Sequence, residues 1–331
     1  MSRVSVIVPT HNAERYLHQT LASIAHQTTP PHEVIVVDDA STDRSYEVAT
    51  SFGASSPCPV RIIRNSESEG VARARNRGVL HATGSWVALC DNDDLWHPAL
   101  LNDVLDRATE EPHLQAVAVG HLGFAHAEDR QALAGHQRSR MVDAWVTGND
   151  PLGELVPLVD AESRTNEPPT DVVDVTFADL QIDTCFATTQ IVFRRDEYIT
   201  SGGCATWCHR ADDWVLNGSV ASVRSIPKLR KPRVFYRVRA SSQSHHQSQS
   251  ALALLTASTA LRLGGKTVDR RPAEGIYRHL VLELLRRGEL RLGLGFGLLG
   301  DFPTRDLARM TASAERTHGP TRTRLRRRSQ A

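Results

Sequence analysis

Asp91 and Asp93 stand one residue apart in the run Cys90-Asp91-Asn92-Asp93-Asp94, a spacing that lets two carboxylates leave one loop toward the same point. Carboxylates that close repel one another unless a cation or hydrogen-bond donors lie between them. A hard divalent ion, Mg²⁺ or Mn²⁺, takes such oxygens together with the phosphate oxygens of a ligand. A second acidic pair, Asp38-Asp39, leads into Ala40-Ser41-Thr42-Asp43, and a third polar segment reads Pro9-Thr10-His11-Asn12. Each has a plainer reading when taken singly. The 91–94 run would serve as a polar turn and cap before a helix after Pro98, and Ser41 or Thr42 would cap the helix that follows Asp38-Asp39. Three such segments, each directly behind a short apolar run, point instead to a ligand site.

Those apolar runs are Val4 to Val8, Val34 to Val37, Val60 to Ile63, Trp86 to Leu89 and Ala116 to Val119. They are short and rich in β-branched residues, as strands are. Between them Leu17, Leu21 and Ile24 recur at helical spacing, as do Val71, Ala74 and Ala82, and Leu101, Val104 and Leu105 after Pro98. Strand alternating with helix predicts an α/β fold with a mostly parallel sheet and flanking helices. In such sheets ligands gather at the carboxyl ends of the strands, where all three polar segments fall. A dinucleotide-binding domain would need a glycine-rich turn after the first strand, but this chain has Pro9 and no glycine there, which speaks against NAD or FAD. From about 125 to 175 the periodicity fades, as in an insertion or an acceptor-facing excursion. A strand-like stretch at Thr184 to Phe193 and a helix at Trp214 to Val220 follow. Ser241 to Ser250 reads as a low-complexity loop or linker, and residues 251–263, 276–287 and 290–299 as helices of a small C-terminal unit.

Four stretches together resemble the inverting glycosyltransferases of family 2, which have a GT-A fold: residues 4–12, 33–43, the Gly70-Val71-Ala72-Arg73-Ala74-Arg75-Asn76-Arg77-Gly78 segment, and residues 88–94. The order and spacing agree over roughly the first hundred residues. The resemblance implies that Asp38 or Asp39 contacts the base and ribose of a nucleotide, and that Asp91 and Asp93 hold a metal on the diphosphate of a sugar nucleotide. Pro9, Thr10, Asn12, Gly70 and Arg75 then belong to the donor side, although arginines 73, 75 and 77 are equally compatible with a charged helix surface. Further on, Gly202-Gly203 followed by Arg210-Ala211-Asp212-Asp213-Trp214 is similar to the family's glycine turn and acidic pair, which supplies the catalytic base. Asp212 stands where glutamate is usual, and Val215-Leu216-Asn217-Gly218 departs from the common pattern, so a capped surface helix remains the alternative. Tyr236-Arg237-Val238-Arg239 resembles a late segment that closes over the diphosphate. Arg239 occupies a common histidine position, so Arg237 or Arg239 would neutralise phosphate instead.

The expected activity is metal-dependent, inverting transfer of a sugar from a nucleoside diphosphate donor to an acceptor nucleophile, with Asp213 as base beside Asp212 and Mn²⁺ or Mg²⁺ as cofactor. A catalytically inactive nucleotide-sugar-binding module and a nucleotidyltransferase are the alternatives. A nucleotidyltransferase would place a glycine-rich basic loop after strand one, which this chain lacks. The expected division is a GT-A domain over 1–245, with a nucleotide-sugar half at 1–120 and an acceptor half at 121–245, then a helical region at 246–315 and a basic tail at 316–331. A formal charge of +1 argues against a nucleic-acid partner. Six arginines and no acid lie from Arg316 onward, so peripheral contact with an anionic membrane through the tail is open. No apolar run approaches the ~18 residues of a membrane span, and Met1-Ser2-Arg3 runs directly into Val4. A cytoplasmic location is therefore expected. Five cysteines at irregular spacing read as thiols; Cys204, Cys208 and His209 lack a fourth zinc ligand, and His245-His246 reads as loop composition. The acceptor, whether glycan, lipid-linked glycan, peptide or small natural product, is not fixed by the sequence.

Overall fold

The structure is a computed structural model that describes residues 3–134, 141–148, 150–163, 172–180, 185–206 and 212–240. The expected C-terminal helices, the 241–250 stretch, the basic tail, Cys208 and His209 lie outside the described residues. In chain order the elements are β1 (Val4–Thr10), α1 (Leu17–Ala25), β2 (Glu33–Asp38), α2 (Ser45–Ser55), β3 (Val60–Arg64), α3 (Val71–His81), β4 (Trp86–Leu89), β5 (Leu95–Trp96) and α4 (Leu100–Glu110). Then come β6 (Ala116–His126), α5 (Arg130–Ala134), β7 (Met141–Val146), α6 (Pro151–Ser163), β8 (Val172–Val175) and α7 (Phe177–Leu180). The last are β9 (Ile191–Arg194), α8 (Arg195–Thr200), α9 (Asp212–Ala221) and β10 (Ile226–Arg237).

These strands form one sheet in the order β3-β2-β1-β4-β9-β6-β10-β5, with β7 added on β6 and β8 on β10. β1 runs parallel to β2 and β4, β2 to β3, and β6 to β7 and β10. β9 is inserted antiparallel between β4 and β6, so β4 and β6 still point the same way. β1, β2 and β4 are buried along their whole length, as strands covered on both faces must be. Their period of two divides the core. Val4, Val6 and Val8 face Leu17, Leu21 and Ile24 of α1, Phe52 of α2 and Leu101 and Val104 of α4. Ile7, Ile35 and Val37 face Ala74 and Val79 of α3, Tyr198 of α8 and Leu216 and Val220 of α9. Each of the valine, leucine, isoleucine and phenylalanine side chains among them, sealed from water, contributes roughly 1.5–3 kcal/mol.

The five strands expected from the first 120 residues are present, each within two residues of the expected start, and β6 runs seven residues further than expected, to His126. The stretch without periodicity holds β7, α6 and β8. Its pattern is obscured because α6 carries Pro157 internally and β8 is only four residues long. β10 is not among the expected strands, because Pro227, Lys228, Arg230, Lys231 and Pro232 break any apolar alternation. The strand accommodates them with two register shifts around Pro232, where a missing N–H does least harm. Opposite that bulge lies Gly120, where any Cβ would come within 2.3 Å of the Arg230 carbonyl oxygen. In place of the strand expected from Thr184 to Phe193, the described residues from Cys185 on hold a 3₁₀ turn over Thr188–Gln190 followed by the short β9. The shared direction of β1, β2, β4, β6 and β10 brings Thr10, Asp38, Leu89, His126 and Arg237 to one edge of the sheet, and the strand order turns back at β1.

Candidate active site

The loops after β1 and β2 are tied into one unit. Asn12 and Ala40 take left-handed backbone angles, φ 49° and 55°, a conformation that few non-glycine residues adopt. Asn12 N–H donates to Ser41 Oγ (3.0 Å), and Asn12 Oδ1 accepts from Thr42 N–H (2.9 Å). His11 Nδ1 lies 2.8 Å from the Asp39 carbonyl oxygen. Thr10 is buried with its hydroxyl on Val8 O, and Pro9 fills the strand. Asp39 Oδ1 accepts from Asn65 Nδ2 (2.7 Å) and Glu69 N–H (2.8 Å), and Oδ2 from Ser68 Oγ (2.9 Å) and Gly70 N–H (2.8 Å). Burial pushes this carboxyl upward, but those four donors outweigh it and hold its pKa below the usual carboxylate value. Asp38 accepts from Ser41 N–H and pairs with Arg64 at 3.1 Å. The two acids thus fix the 65–70 loop and the loop after β2.

The acids after β4 are in the opposite condition. Asp91 Oδ1 meets Arg75 Nη2 at 2.7 Å, and Asp93 Oδ2 meets Arg239 Nη2 at 2.5 Å. Asp94 is buried; its Oδ1 accepts Arg237 N–H (2.9 Å), and its Oδ2 has no hydrogen-bond partner. Burial raises the pKa of Asp93, with Asp91 adding repulsion against the pull of Arg239, and burial with Asp93 and Asp91 raises Asp94 further. Among the described residues no three His, Cys, Asp or Glu side chains are grouped to hold an ion by themselves. The orphaned Asp94 oxygen and the elevated carboxyls nevertheless mark a cluster short of positive charge. Hard oxygens of Asp91 and Asp93 fit a divalent ion whose other ligands come from a diphosphate.

Arg237, only 1% exposed, is committed to the interior. Its Nε donates to Asp93 O (2.7 Å) and its Nη2 to Gln19 Oε1 (2.9 Å), Nη1 lies 2.7 Å from His126 Nε2, and the guanidinium stacks on Tyr16 and Phe124. Burial lowers its pKa to about 10. Arg239 is more open and also lies over Tyr16.

Arg75 joins this cluster to the second half of the chain. Its Nη1 donates to Asp212 Oδ2 at 2.7 Å while Nη2 holds Asp91. Burial opposes the charge of Arg75, but Asp91 and Asp212 outweigh it and keep the pKa above its ordinary value. Next to Asp212 at the start of α9, Asp213 accepts Thr188 Oγ1 at 2.8 Å through Oδ2, and Trp214 N–H at 2.9 Å through Oδ1. Burial and the neighbouring Asp212 raise Asp213 to about 6, against the pull of Arg75 and Thr188. A carboxyl that ionises near 6 is a base at neutral pH that still holds an abstracted proton better than an ordinary aspartate. Thr188 is set by the 3₁₀ turn, whose Gln190 amide reaches Val119 O at 2.7 Å and accepts Ala187 N–H.

Residues 5–140 match the family model described as "Glycosyl transferase family 2". Residues 5–140 are thus similar to the family 2 glycosyl transferases. EpsE of Bacillus subtilis, named a glycosyltransferase, is 34% identical over 122 residues, which are 37% of this chain and 44% of EpsE. TuaG of the same organism, named for teichuronic acid biosynthesis, is 35% identical over 122 residues and covered to 46%. The match therefore spans under half the length of either relative. Among solved structures, S. aureus TarS 1-349 in complex with UDP-GlcNAc superposes with a TM-score of 0.58 at 17% identity, over 96% of this chain and 81% of that one. The fold is GT-A, with its mostly parallel sheet and flanking helices.

The structure brings Asp91, Arg75, Asp212 and Asp213 to one place, and Asp93, Arg239 and Arg237 to its flank. Pro9, Thr10, Asn12, Asp38, Asp39 and Gly70 lie along the neighbouring edge. Thr188, Asn65, Ser68 and Tyr16 are part of the same surroundings without having been singled out from sequence. Thr188 sits in a run with no distinctive spacing, and Tyr16 shows only as a lone aromatic before an amphipathic helix. Asn65 and Ser68 could have been sought as the donors that an acidic pair at a strand end requires.

Proposed function

We propose that the protein is a metal-dependent, inverting glycosyltransferase acting on a nucleoside diphosphate sugar. The observation that carries the reading is the Arg75 bridge, 2.7 Å to Asp91 and 2.7 Å to Asp212, because it ties the acids suited to a diphosphate-bound ion to the segment that holds a raised-pKa carboxyl. The nucleoside lies against the loops after β1 and β2, where Asp38, Asp39 and the 65–70 loop form the wall. Asp91 and Asp93 would hold Mn²⁺ or Mg²⁺, which would supply positive charge against the leaving diphosphate. Arg239 is the arginine that turns to phosphate, since Arg237 is held inside. Asp213 takes the proton of the acceptor nucleophile as it attacks the anomeric carbon from the face opposite the diphosphate, so the C–O bond to the acceptor forms as that to the diphosphate breaks. Asp212, neutralised by Arg75, orients the segment.

The fold likeness to TarS with UDP-GlcNAc and to the Pyrobaculum calidifontis mannosyltransferase PcManGT with GDP-Man and Mn²⁺ (TM-score 0.55, 20% identity) supports a sugar-nucleotide donor and a divalent ion. No helix among the described residues is long and apolar enough to cross a membrane, and a cytoplasmic site of action is part of this reading. The test is release of nucleoside diphosphate from a panel of UDP- and GDP-sugars with Mn²⁺ or with chelator. Metal-dependent release and an inverted anomeric product by NMR are expected. Binding without turnover by any donor would make the chain an inactive module, and a retained configuration would rule out single displacement.

A further inference from the structure

Asn76 follows Arg75 in α3, and its carboxamide makes three bonds to the chain around Cys204. Nδ2 donates to Cys204 O at 2.8 Å, and Oδ1 accepts Cys204 N–H at 2.9 Å and Tyr198 Oη–H at 2.7 Å. Pairing with both backbone groups of one residue does for Cys204 what a neighbouring strand would do. The turn before it needs Gly203 at φ +64°, and a Cβ there would lie 2.6 Å from Asn76 Oδ1, so the turn is pressed directly on the carboxamide. Burial pushes the Cys204 thiol and the Tyr198 hydroxyl above their ordinary pKa values. The cluster therefore offers no nucleophile and acts as a scaffold. Eight residues on, Arg75 holds Asp212 at 2.7 Å, and Ala205 N–H reaches Asp212 O at 3.4 Å. Two adjacent residues of one helix thus hold Cys204 and Asp212, which the Ala205–Asp212 bond joins directly beside Asp213.

We infer that Asn76 is a positioning residue for Asp213: it fixes Cys204 and, through Ala205, the Asp212 backbone, as Arg75 fixes the Asp212 side chain. The inference rests on the reading of Asp213 as the base. A misplacement of about 1 Å at a reacting group can cost ~10²-fold in rate, so an amide that never touches substrate can still govern turnover.

The test compares wild type, Asn76→Ala and Tyr198→Phe by hydrogen exchange and by steady-state release of UDP or GDP from UDP-GlcNAc or GDP-mannose with Mn²⁺. Asn76→Ala is expected to speed exchange at 204–206 and 212–213 by ~10-fold or more. It should lower kcat by ~10–100-fold while the donor KM moves less than ~3-fold, the split expected of lost positioning rather than lost donor binding. Tyr198→Phe removes the hydroxyl's bond to Asn76 and its longer contacts with Cys204 Sγ and N–H without opening a cavity, and should give a smaller change in the same direction. Unchanged exchange in both variants would overturn the inference. So would an unchanged kcat measured well below the melting temperature, or an equal loss of affinity for UDP and GDP. If wild type releases nucleotide from no donor of the UDP- and GDP-sugar panel, the transferase reading fails at that step, and the exchange data alone decide whether Asn76 holds Cys204 and Asp212.

Discussion

Asp39 follows β2 and Asp91 to Asp94 follow β4, the same residue type at the same kind of strand end, yet they lie in opposite electrostatic surroundings. Asp39 accepts four donors from one loop and is held below the ordinary carboxylate pKa. Asp93 and Asp94 crowd one another and are raised, and across Arg75 so is Asp213. A carboxylate already satisfied by its own chain shapes a wall. One left short of donors and cations is prepared to take a metal ion or a proton from outside. The difference separates the scaffolding acids of this crevice from its reactive ones.

The comparison is tested most severely at Asp213. Asp213→Asn keeps the shape and removes the base, so kcat should fall by ~10² to 10⁴ with donor binding retained. Stability should move the other way. The folded pKa of about 6 lies above the unfolded value near 3.8, so the unfolded chain ionises first and stability declines as pH rises between those two values. Asp213→Asn removes that decline, and thermal melts should show the variant at least as stable as wild type at pH 7. A variant that melts lower at pH 7 and still turns over would return Asp213 to the scaffolding class.

Next in size is the metal. With UDP or GDP and Mn²⁺ at ~100 times the dissociation constant, wild type should gain ~2.7 kcal/mol of stability. Asp93→Ala should lose most of that gain, as should chelation of wild type. Undiminished Mn²⁺-dependent stabilisation in Asp93→Ala would place the ion elsewhere. Asp39→Ala should act without any ligand. It strands the donors of Asn65, Ser68, Glu69 and Gly70, and the free protein should lose ~1–3 kcal/mol at pH 7. Because the folded pKa of Asp39 is depressed, this contribution is present above about pH 4, the ordinary range for a carboxyl, and vanishes as acid protonates it. The variant's melting temperature should therefore approach that of wild type on acidification. A constant difference down to strong acid would mean the loop is held by something other than this charge.

Much of the donor half is legible in sequence because its strands are continuous apolar runs buried on both faces, so Val4–Thr10 and Trp86–Leu89 announce themselves. The polar segments behind them are equally plain. What spacing alone does not reveal is the partner of each acid: Arg75 and Asp212 meet across 137 residues, and Arg237 and Asp93 across 144. β10 escapes because its bulge at Pro232 needs Gly120 of another strand, a complementarity that no local pattern records. The exchange of roles between Arg237, sealed inside, and the more open Arg239 has the same origin, since the alternation of a strand end is set by the register it adopts.

The smallest effect tests the finest part of the contrast. Among the described residues Thr188 is the side-chain hydroxyl that donates to Asp213, at 2.8 Å, and that bond favours the ionised form. Thr188→Val keeps the branched shape and removes the donor, so the carboxyl should ionise at a higher pH than about 6. The acid limb of the kcat profile should shift to the alkaline side, with a loss of under ~10-fold near pH 6. Activity at pH 8 should stay within ~2-fold of wild type, because the base is ionised there in both proteins. A uniform drop at all pH values would mean instead that Thr188 holds Asp213 in place, and that burial and Asp212 alone set its ionisation.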